Sequence, residues 1–210
     1  MNKQIIDISR PLQADIAVWP GDTPFSLESV LARSKGASVN LTTITMSAHT
    51  GSHADAPHHF ADNAAAIDEV ALAPYWGPAQ VVTVSRAPGP LTAADFAGCD
   101  LQLAPRLLVR TPAEHLPLAQ FPQEIVYPTP DLAAYLQEQG IILYGTDAPS
   151  MDAIDSKDLP GHNALLRHGI AILEGLDLNA ARDGLYELVA LPLRITGGDG
   201  SPVRAALRPL

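Results

Sequence analysis

The sequence predicts one α/β domain over residues 1–210, with a central mixed β-sheet flanked by helices. The chain is 47% hydrophobic, and 210 residues of this composition are enough to bury a single core. Its 19 prolines and 15 glycines are spread along the chain and do not gather at a domain boundary. Residues 129–144 and 155–173 each have a helical pattern followed by a strand pattern, which favours a mixed α/β architecture.

Seven short segments have the composition of β-strands. "VNLTTITMSA" alternates apolar and polar residues and is rich in residues that favour a pleated surface. "IILYG" is a continuous apolar run, which is typical of a buried strand. The expected strands are Ile5–Ser9, Val39–Ala48, Gln80–Ser85, Leu107–Arg110, Ile141–Tyr144, Ala171–Leu173 and Glu187–Ile195.

Three segments have helical signals. In "TPDLAAYLQEQG", Thr129 can cap the first turn, the following proline suits the first helical position, and Gly140 marks the stop. In "LTAADFAG", Thr92 and Asp95 can cap a short helix. A third helix is expected within residues 155–169, which end in a glycine.

Composition excludes several classes of function. The net charge is −10 and the pI is about 4.9, so nucleic acid is not an expected partner, because phosphate contacts need a basic face. No apolar run approaches the roughly 18 residues of a membrane span, and no secretory signal is evident. Cys99 is the only cysteine, which excludes an internal disulfide, and we expect it to be a small packed residue. We therefore expect a cytoplasmic protein without membrane partners.

Residues 49–59, "HTGSHADAPHH", contain four of the seven histidines and one carboxylate. His49, His53 and Asp55 offer the imidazole and carboxylate ligands that zinc and similar cations prefer. These three side chains would share one face in an extended chain, and the two histidines would also do so in a helix. The pattern is equally compatible with a hydrogen-bonded surface cluster, so it predicts a metal site only as one of two alternatives.

Two further residues could complete such a site. His162 lies in "LPGHNALL", and Glu174 follows an apolar strand in "AILEGLDL". A carboxylate at a strand end needs either a cation or solvent, because its burial without a partner is costly. The alternatives are a loop histidine for His162 and a solvated strand end for Glu174.

The cluster resembles the signature H-x-G-T-H-x-D-x-P-x-H of the bacterial kynurenine formamidases, within the wider family of cyclase-like metal-dependent hydrolases. Every fixed position matches except the threonine, which is Ser52 here and keeps the hydroxyl. Supporting blocks follow in order and cover nearly the whole chain: "IIDISRPLQADIAVWPGDTPF", "YGTDAPSMD", "GHNALLRHGIAILEGL" and "LPLRITGGDGSPVRA". The resemblance implies the cyclase-family fold, of the swivelling β/α/β type.

The resemblance also implies a site with two divalent metal ions. His49, His53 and Asp55 would hold one ion, and Asp55 would bridge to a second ion held by His162 and Glu174. Nitrogen ligands favour zinc over magnesium, with manganese as a further possibility. A closed homodimer is implied as well.

The implied reaction is hydrolysis of N-formyl-L-kynurenine to L-kynurenine and formate, in tryptophan breakdown. His59, the last histidine of the signature, would be the catalytic acid and base, although it could instead only orient a ligand. Trp19 is a candidate surface for stacking the substrate ring, with packing in the core or at a dimer interface as the alternative. His58 falls at a variable position and receives no role.

Two other functions remain open at this point. A related hydrolase could open isatin or another small cyclic amide with the same metals. A protein of this fold could also bind metal without turnover, although His59 beside a complete ligand set argues against it.

Overall fold

The computed structural model describes residues 4–210, which form thirteen strands and two α-helices joined by turns and short 3₁₀ helices. The helices are α1 (Pro130–Glu138) and α2 (Pro160–Arg167). The strands are β1 (Ile6–Asp7), β2 (Ser26–Leu31), β3 (Leu41–Thr45), β4 (His53–Asp55), β5 (Trp76–Thr83), β6 (Gly89–Leu91), β7 (Arg106–Arg110), β8 (Val126–Pro128), β9 (Leu143–Thr146), β10 (Ala171–Glu174), β11 (Gly184–Val189), β12 (Gly200–Pro202) and β13 (Ala206–Pro209). In the described part of the chain, no helix is long and apolar enough to cross a membrane.

Nine strands form one mixed sheet, in the order β1-β13-β11-β5-β7-β9-β10-β4-β12. The four central strands, β5, β7, β9 and β10, run parallel, and the strands on both sides are antiparallel. Two small sheets stand apart from it: the antiparallel hairpin β2–β3 and the parallel pair β6–β8. The expected mixed sheet is confirmed.

The two faces of the sheet are buried in different ways. Leu136 of α1 and Leu165 of α2 pack against Leu107 and Ile172, so both helices cover the same face. The opposite face packs against itself, because residues from the first and last strands join one cluster with the central strands. The large sheet is therefore curled around its own core, and the helices close only its outer side.

Each of the seven predicted strands overlaps an observed strand. The last one is wrong beyond Val189, where the chain leaves the sheet as "ALPLRI" and Pro192 cannot donate a ladder hydrogen bond. Several strands were not predicted, including β4 and β12. Both have only three residues, and they are too short for an alternating pattern to be read.

The helix signals are confirmed with one change of type. Thr129 caps α1 by accepting a hydrogen bond from the Leu132 amide, as its sequence indicates. "LTAADFAG" forms a 3₁₀ helix over Ala93–Phe96, in which Thr92 and Asp95 make the expected capping box. The expected packing of Cys99 is wrong: the residue is exposed at the turn that follows this helix.

Two turns meet at the end of the sheet that carries β4 and β10. Gly175 has φ +62°, and a Cβ added there would overlap the carbonyl oxygen of Gly51. The Ser52 hydroxyl joins the same turns, because it donates to the Gly175 carbonyl at 2.7 Å and accepts the Arg10 amide at 2.9 Å. The two turns are thus held in direct contact.

We predict that Gly175→Ala lowers the free energy of unfolding more than Gly169→Ala does. Gly169 also has a positive φ of +67°, but a Cβ there meets nothing within 4 Å. The control should cost about 1–2 kcal/mol for backbone strain alone. Overlap with Gly51 should bring the loss at Gly175 to about 2–5 kcal/mol. Denaturant unfolding of both variants without metal measures the difference, and equal losses would contradict the close approach.

Candidate metal centre

Strand pairing brings three of the predicted ligands together. His53 and Asp55 alternate with Ala54 along β4, so their side chains leave the same face of the strand. In the antiparallel pair of β4 and β10, Glu174 is the residue directly opposite His53. All three side chains are buried, which excludes the solvated strand end considered for Glu174.

The other two predicted ligands arrive from outside the sheet. His49 lies in the turn before β4 and packs against Gly200, where an added Cβ would stand 2.7 Å from the imidazole Cε1. His162 is the third residue of α2, so it is a buried helical residue and not a loop histidine. The structure therefore brings all five predicted ligands together.

Asp55 is at the centre of the cluster. Its Oδ1 lies 3.1 Å from His49 Nδ1 and 3.4 Å from His53 Nε2, while its Oδ2 lies 3.5 Å from His162 Nε2. Glu174 completes the arrangement: Oε1 lies 3.3 Å from His162 Nε2, and Oε2 lies 3.4 Å from His53 Nε2. Nitrogen and oxygen atoms thus converge in two groups that share Asp55.

Two carboxylate oxygens show that the cluster suits a cation. Asp55 Oδ2 and Glu174 Oε1 are buried, and neither has a hydrogen-bond partner. A buried carboxylate oxygen without a partner is costly, and a metal ligand bond removes that cost. Imidazole nitrogen with carboxylate oxygen is a donor set typical of zinc and similar divalent ions. The residues present therefore fit a divalent ion.

The ionisation of the cluster supports the same conclusion. Burial opposes protonation of His53, but its contacts with Asp55 and Glu174 outweigh burial and raise its pKa to about 10. Burial likewise opposes ionisation of Asp55 and Glu174, yet contacts with the surrounding histidines hold both pKa values below their usual range. Nearby positive charge thus stabilises the ionised carboxylates, and a divalent ion would supply that charge in place of protons.

In each of the three histidines, the ring nitrogen that points away from the cluster lies next to an oxygen acceptor. His53 Nδ1 is 2.9 Å from the Gly51 carbonyl, and His162 Nδ1 is 2.7 Å from Asp152 Oδ2. His49 Nε2 is 3.1 Å from Asp199 Oδ2. An acceptor on the far nitrogen fixes the proton there and leaves the near nitrogen free to bind metal.

Sequence reasoning gave no role to Asp152, which is buried and joins α2 to the cluster. Its Oδ1 accepts the Gly161 amide at 2.7 Å, and its Oδ2 accepts the His162 amide at 3.1 Å. The same carboxylate therefore caps the first turn of α2 and orients the His162 ring. No spacing signal could have found it, because it lies outside the short range over which capping patterns are recognised.

His59 lies beside the cluster and not within it. Its ring centroid is 4.0 Å from that of His49, and its side chain keeps 34% of its exposure. Asp199, which sequence reasoning also missed, is 3.3 Å from His59 Nδ1. The Asp199 carbonyl accepts the Ala56 amide, so backbone pairing fixes this carboxylate next to both imidazoles.

A cavity of about 340 Å³ opens above the cluster. His49, His53, His162 and Glu174 lie on its floor, and His59 lines it as well. Trp19 is on its wall, 40% exposed, with its ring edge-to-face against Phe121 at 5.3 Å. Trp19 is therefore not a core residue. His58, which precedes His59 in the chain, is exposed and does not line the cavity.

The family model named Cyclase matches residues 6–153. The chain belongs to the cyclase family. Kynurenine formamidase of Bacillus mycoides (strain KBAB4) is 45% identical to it over 207 residues, which cover 99% of this chain and 98% of that protein. Kynurenine formamidase of Bacillus cereus (strain ATCC 14579) is 44% identical over 205 residues, which cover 98% and 97%.

Solved structures confirm the cyclase-family fold that the signature implies. A potential metal-dependent hydrolase with cyclase activity superposes with a TM-score of 0.83 at 26% identity, covering 97% of this chain and 96% of that one. Isatin hydrolase A from Labrenzia aggregata, bound to benzyl benzoate, superposes with a TM-score of 0.80 at 26% identity. That match covers 98% of this chain and 93% of the other.

We predict that Asp152→Asn weakens the affinity for a divalent ion, with zinc as the probe, by roughly 10–100-fold, because His162 loses the carboxylate that orients it. Asparagine keeps one oxygen for the Gly161 amide, so α2 should remain folded. Competition with a chromophoric chelator measures the affinity, and Asp155→Asn, at an exposed carboxylate, is the matched control. Equal affinity in the two variants would show that Asp152 only caps the helix.

Proposed function

We propose that this chain hydrolyses N-formyl-L-kynurenine to L-kynurenine and formate, as a step of tryptophan degradation. The observation that carries the proposal is the buried histidine–carboxylate cluster on the floor of a cavity walled by Trp19 and Phe121. The identity of 45% over nearly the full chain with a protein named kynurenine formamidase supports the same substrate. A formyl group small enough to reach the floor would leave the aryl ring against the aromatic wall.

The proposed cofactors are two divalent ions, with zinc favoured by the imidazole ligands and manganese or magnesium as alternatives. His49, His53 and Asp55 would hold one ion, and Asp55, His162 and Glu174 would hold the other. In each set the ligand atoms lie within 4.8 Å of one another. Ions bound there would polarise the formyl carbonyl and make water a nucleophile at neutral pH.

A side chain of the protein must deliver the proton that the leaving nitrogen needs. The aryl nitrogen leaves poorly as an anion, so an acid has to protonate it as the C–N bond breaks. His59 is the proposed acid and base: it lines the cavity, and Asp199 beside Nδ1 leaves Nε2 for the reaction. The carboxylate also stabilises the ring when it carries the proton. Trp19 is proposed to stack on the aryl ring of the substrate.

We predict that the metal-loaded protein turns over N-formyl-L-kynurenine and that His59→Ala lowers kcat by roughly 10²–10⁴-fold, the contribution of an acid–base group. Release of kynurenine is followed by its absorbance. His58→Ala, one residue away and exposed, is the control and should retain wild-type kcat. Chelation should abolish turnover, and added zinc should restore it.

Several outcomes would count against the assignment. Failure of metal-loaded wild-type protein to release kynurenine would sink the formamidase proposal. Turnover of isatin instead would place the chain with the hydrolases of cyclic amides. Bound metal without turnover of either substrate would favour a metal-binding protein.

We further propose a homodimer that uses the β2–β3 hairpin. Every residue of both strands is exposed, although a two-stranded hairpin alone is marginally stable in water. Leu27 and Ile44 face each other across the ladder and are 59% and 58% exposed. A projecting hairpin with exposed apolar residues is typical of a surface that a partner covers, and a second copy satisfies it with closed symmetry.

We predict that Leu27→Asp together with Ile44→Asp converts the protein to a monomer, because burial of two carboxylates at an interface is costly. Sedimentation velocity measures the assembly state. The control pair is Thr43→Asp with Thr45→Asp, which adds the same charge to the opposite face of the hairpin. A monomeric wild-type protein, or a dimer that survives the apolar substitutions, would contradict the proposed interface.

A further inference from the structure

Arg10 is fixed beside the metal-ligand turns. Its backbone amide donates to the Ser52 hydroxyl at 2.9 Å, and that hydroxyl donates to the Gly175 carbonyl at 2.7 Å. Ser52 directly precedes His53, and Gly175 directly follows Glu174. Arg10 is therefore tied to two of the proposed metal ligands through a single hydroxyl, and it is among the residues that line the cavity above them.

Among the described residues, the guanidinium of Arg10 donates one hydrogen bond. Nη2 donates to the Asp147 carbonyl at 2.8 Å, which holds the side chain in place. In the part of the chain that the structure describes, no carboxylate forms an ion pair with it within 4 Å, and Nε and Nη1 donate to no protein acceptor. Burial lowers the pKa of Arg10, against the attraction of Asp147 and Asp177. A residue of the cavity lining thus carries a fixed cation with unused donors.

We propose that Arg10 binds the α-carboxylate of an amino-acid substrate, and so selects N-formyl-L-kynurenine over neutral amides. The inference rests on the proposed function, whose substrate carries a carboxylate on the chain attached to its aryl ring. Two parallel N–H groups of a guanidinium match a carboxylate, and the pair is strong where water is excluded. Isatin and similar neutral cyclic amides offer no such group.

The position of Arg10 suits a determinant of specificity. The ligand cluster can act on any amide that reaches the floor, whereas Arg10 acts on a part of the substrate that does not react. Its backbone bond to Ser52 fixes the anchor relative to the floor, so a bound carboxylate would set where the formyl group lies.

The test compares two substrates that differ only in the carboxylate: N-formyl-L-kynurenine and its decarboxylated analogue, N-formylkynuramine. Arg10→Gln should raise KM for N-formyl-L-kynurenine by roughly 10–100-fold, the range expected on losing hydrogen bonds to a charged group. The increase in KM for N-formylkynuramine should be at least ten times smaller. Arg10→Lys keeps the charge but not the paired donors, so it should raise KM for N-formyl-L-kynurenine by less than Arg10→Gln does.

Arg33→Gln is the control, because Arg33 is exposed and does not line the cavity. Zinc content and thermal unfolding of each variant report whether the site and the fold survive the substitution. If Arg10→Gln fails to fold, Arg10→Lys carries the comparison. An equal increase in KM for both substrates, or no increase for either, would overturn the proposal that Arg10 binds the carboxylate.

Failure of the proposed function gives a different result. Wild-type protein would then cleave neither substrate, and calorimetric binding of L-kynurenine and kynuramine replaces turnover as the measurement. Preference for L-kynurenine that disappears in Arg10→Gln would support the anchor even without the reaction. Equal affinities of the wild-type protein for the two ligands would reject it.

Discussion

The structure depends on two buried carboxylates that the protein does not fully satisfy. Asp55 and Glu174 are buried, and each leaves an oxygen without a hydrogen-bond partner. Such an arrangement is unfavourable unless a cation completes it. The three histidines around them supply nitrogen ligands at distances of 3.1–3.5 Å from the carboxylate oxygens. Stability and chemistry would thus be coupled at one point, since a cation that completes the cluster would also activate the substrate in the proposed reaction.

The surrounding fold fixes this cluster from several directions. β4 carries two of the proposed ligands, β10 adds a third as a cross-strand neighbour, and α2 adds a fourth through a turn that Asp152 caps. Glycines at 175 and 200 have no side chain where the turns and the His49 ring come closest. Rigid support is needed here because metal ligands must keep their geometry before the ion arrives. His59 has a different environment: it is partly exposed, which suits its proposed role as a group that exchanges protons.

The sequence predicts the residue types of this site better than its geometry. Local signals identified His49, His53 and Asp55, because imidazole and carboxylate groups within seven residues are a dense and unusual pattern. His162 and Glu174 were visible as candidates, but only the family signature paired them with the cluster, since β10 and α2 meet β4 through tertiary structure. The mixed sheet and both α-helices were predictable from periodicity and capping. Strands β4 and β12 were not, because three residues carry no period. Asp152 and Asp199 act through partners distant in sequence, so no local pattern distinguishes them from solvated acids.

Selectivity for one amide does not follow from the cyclase-family fold alone. The isatin hydrolase that superposes on this chain is only 26% identical, while the fold is shared over nearly its full length. A common floor with different walls is the simplest way for one fold to accept different amides. In this chain the cavity lining combines an aromatic pair, Trp19 and Phe121, with Arg10, whose guanidinium forms no ion pair within 4 Å among the described residues. An aryl ring with a charged amino-acid chain matches both features, whereas a neutral bicyclic amide matches only the first. The proposed determinant of the substrate is therefore Arg10, which lies outside the histidine cluster of residues 49–59.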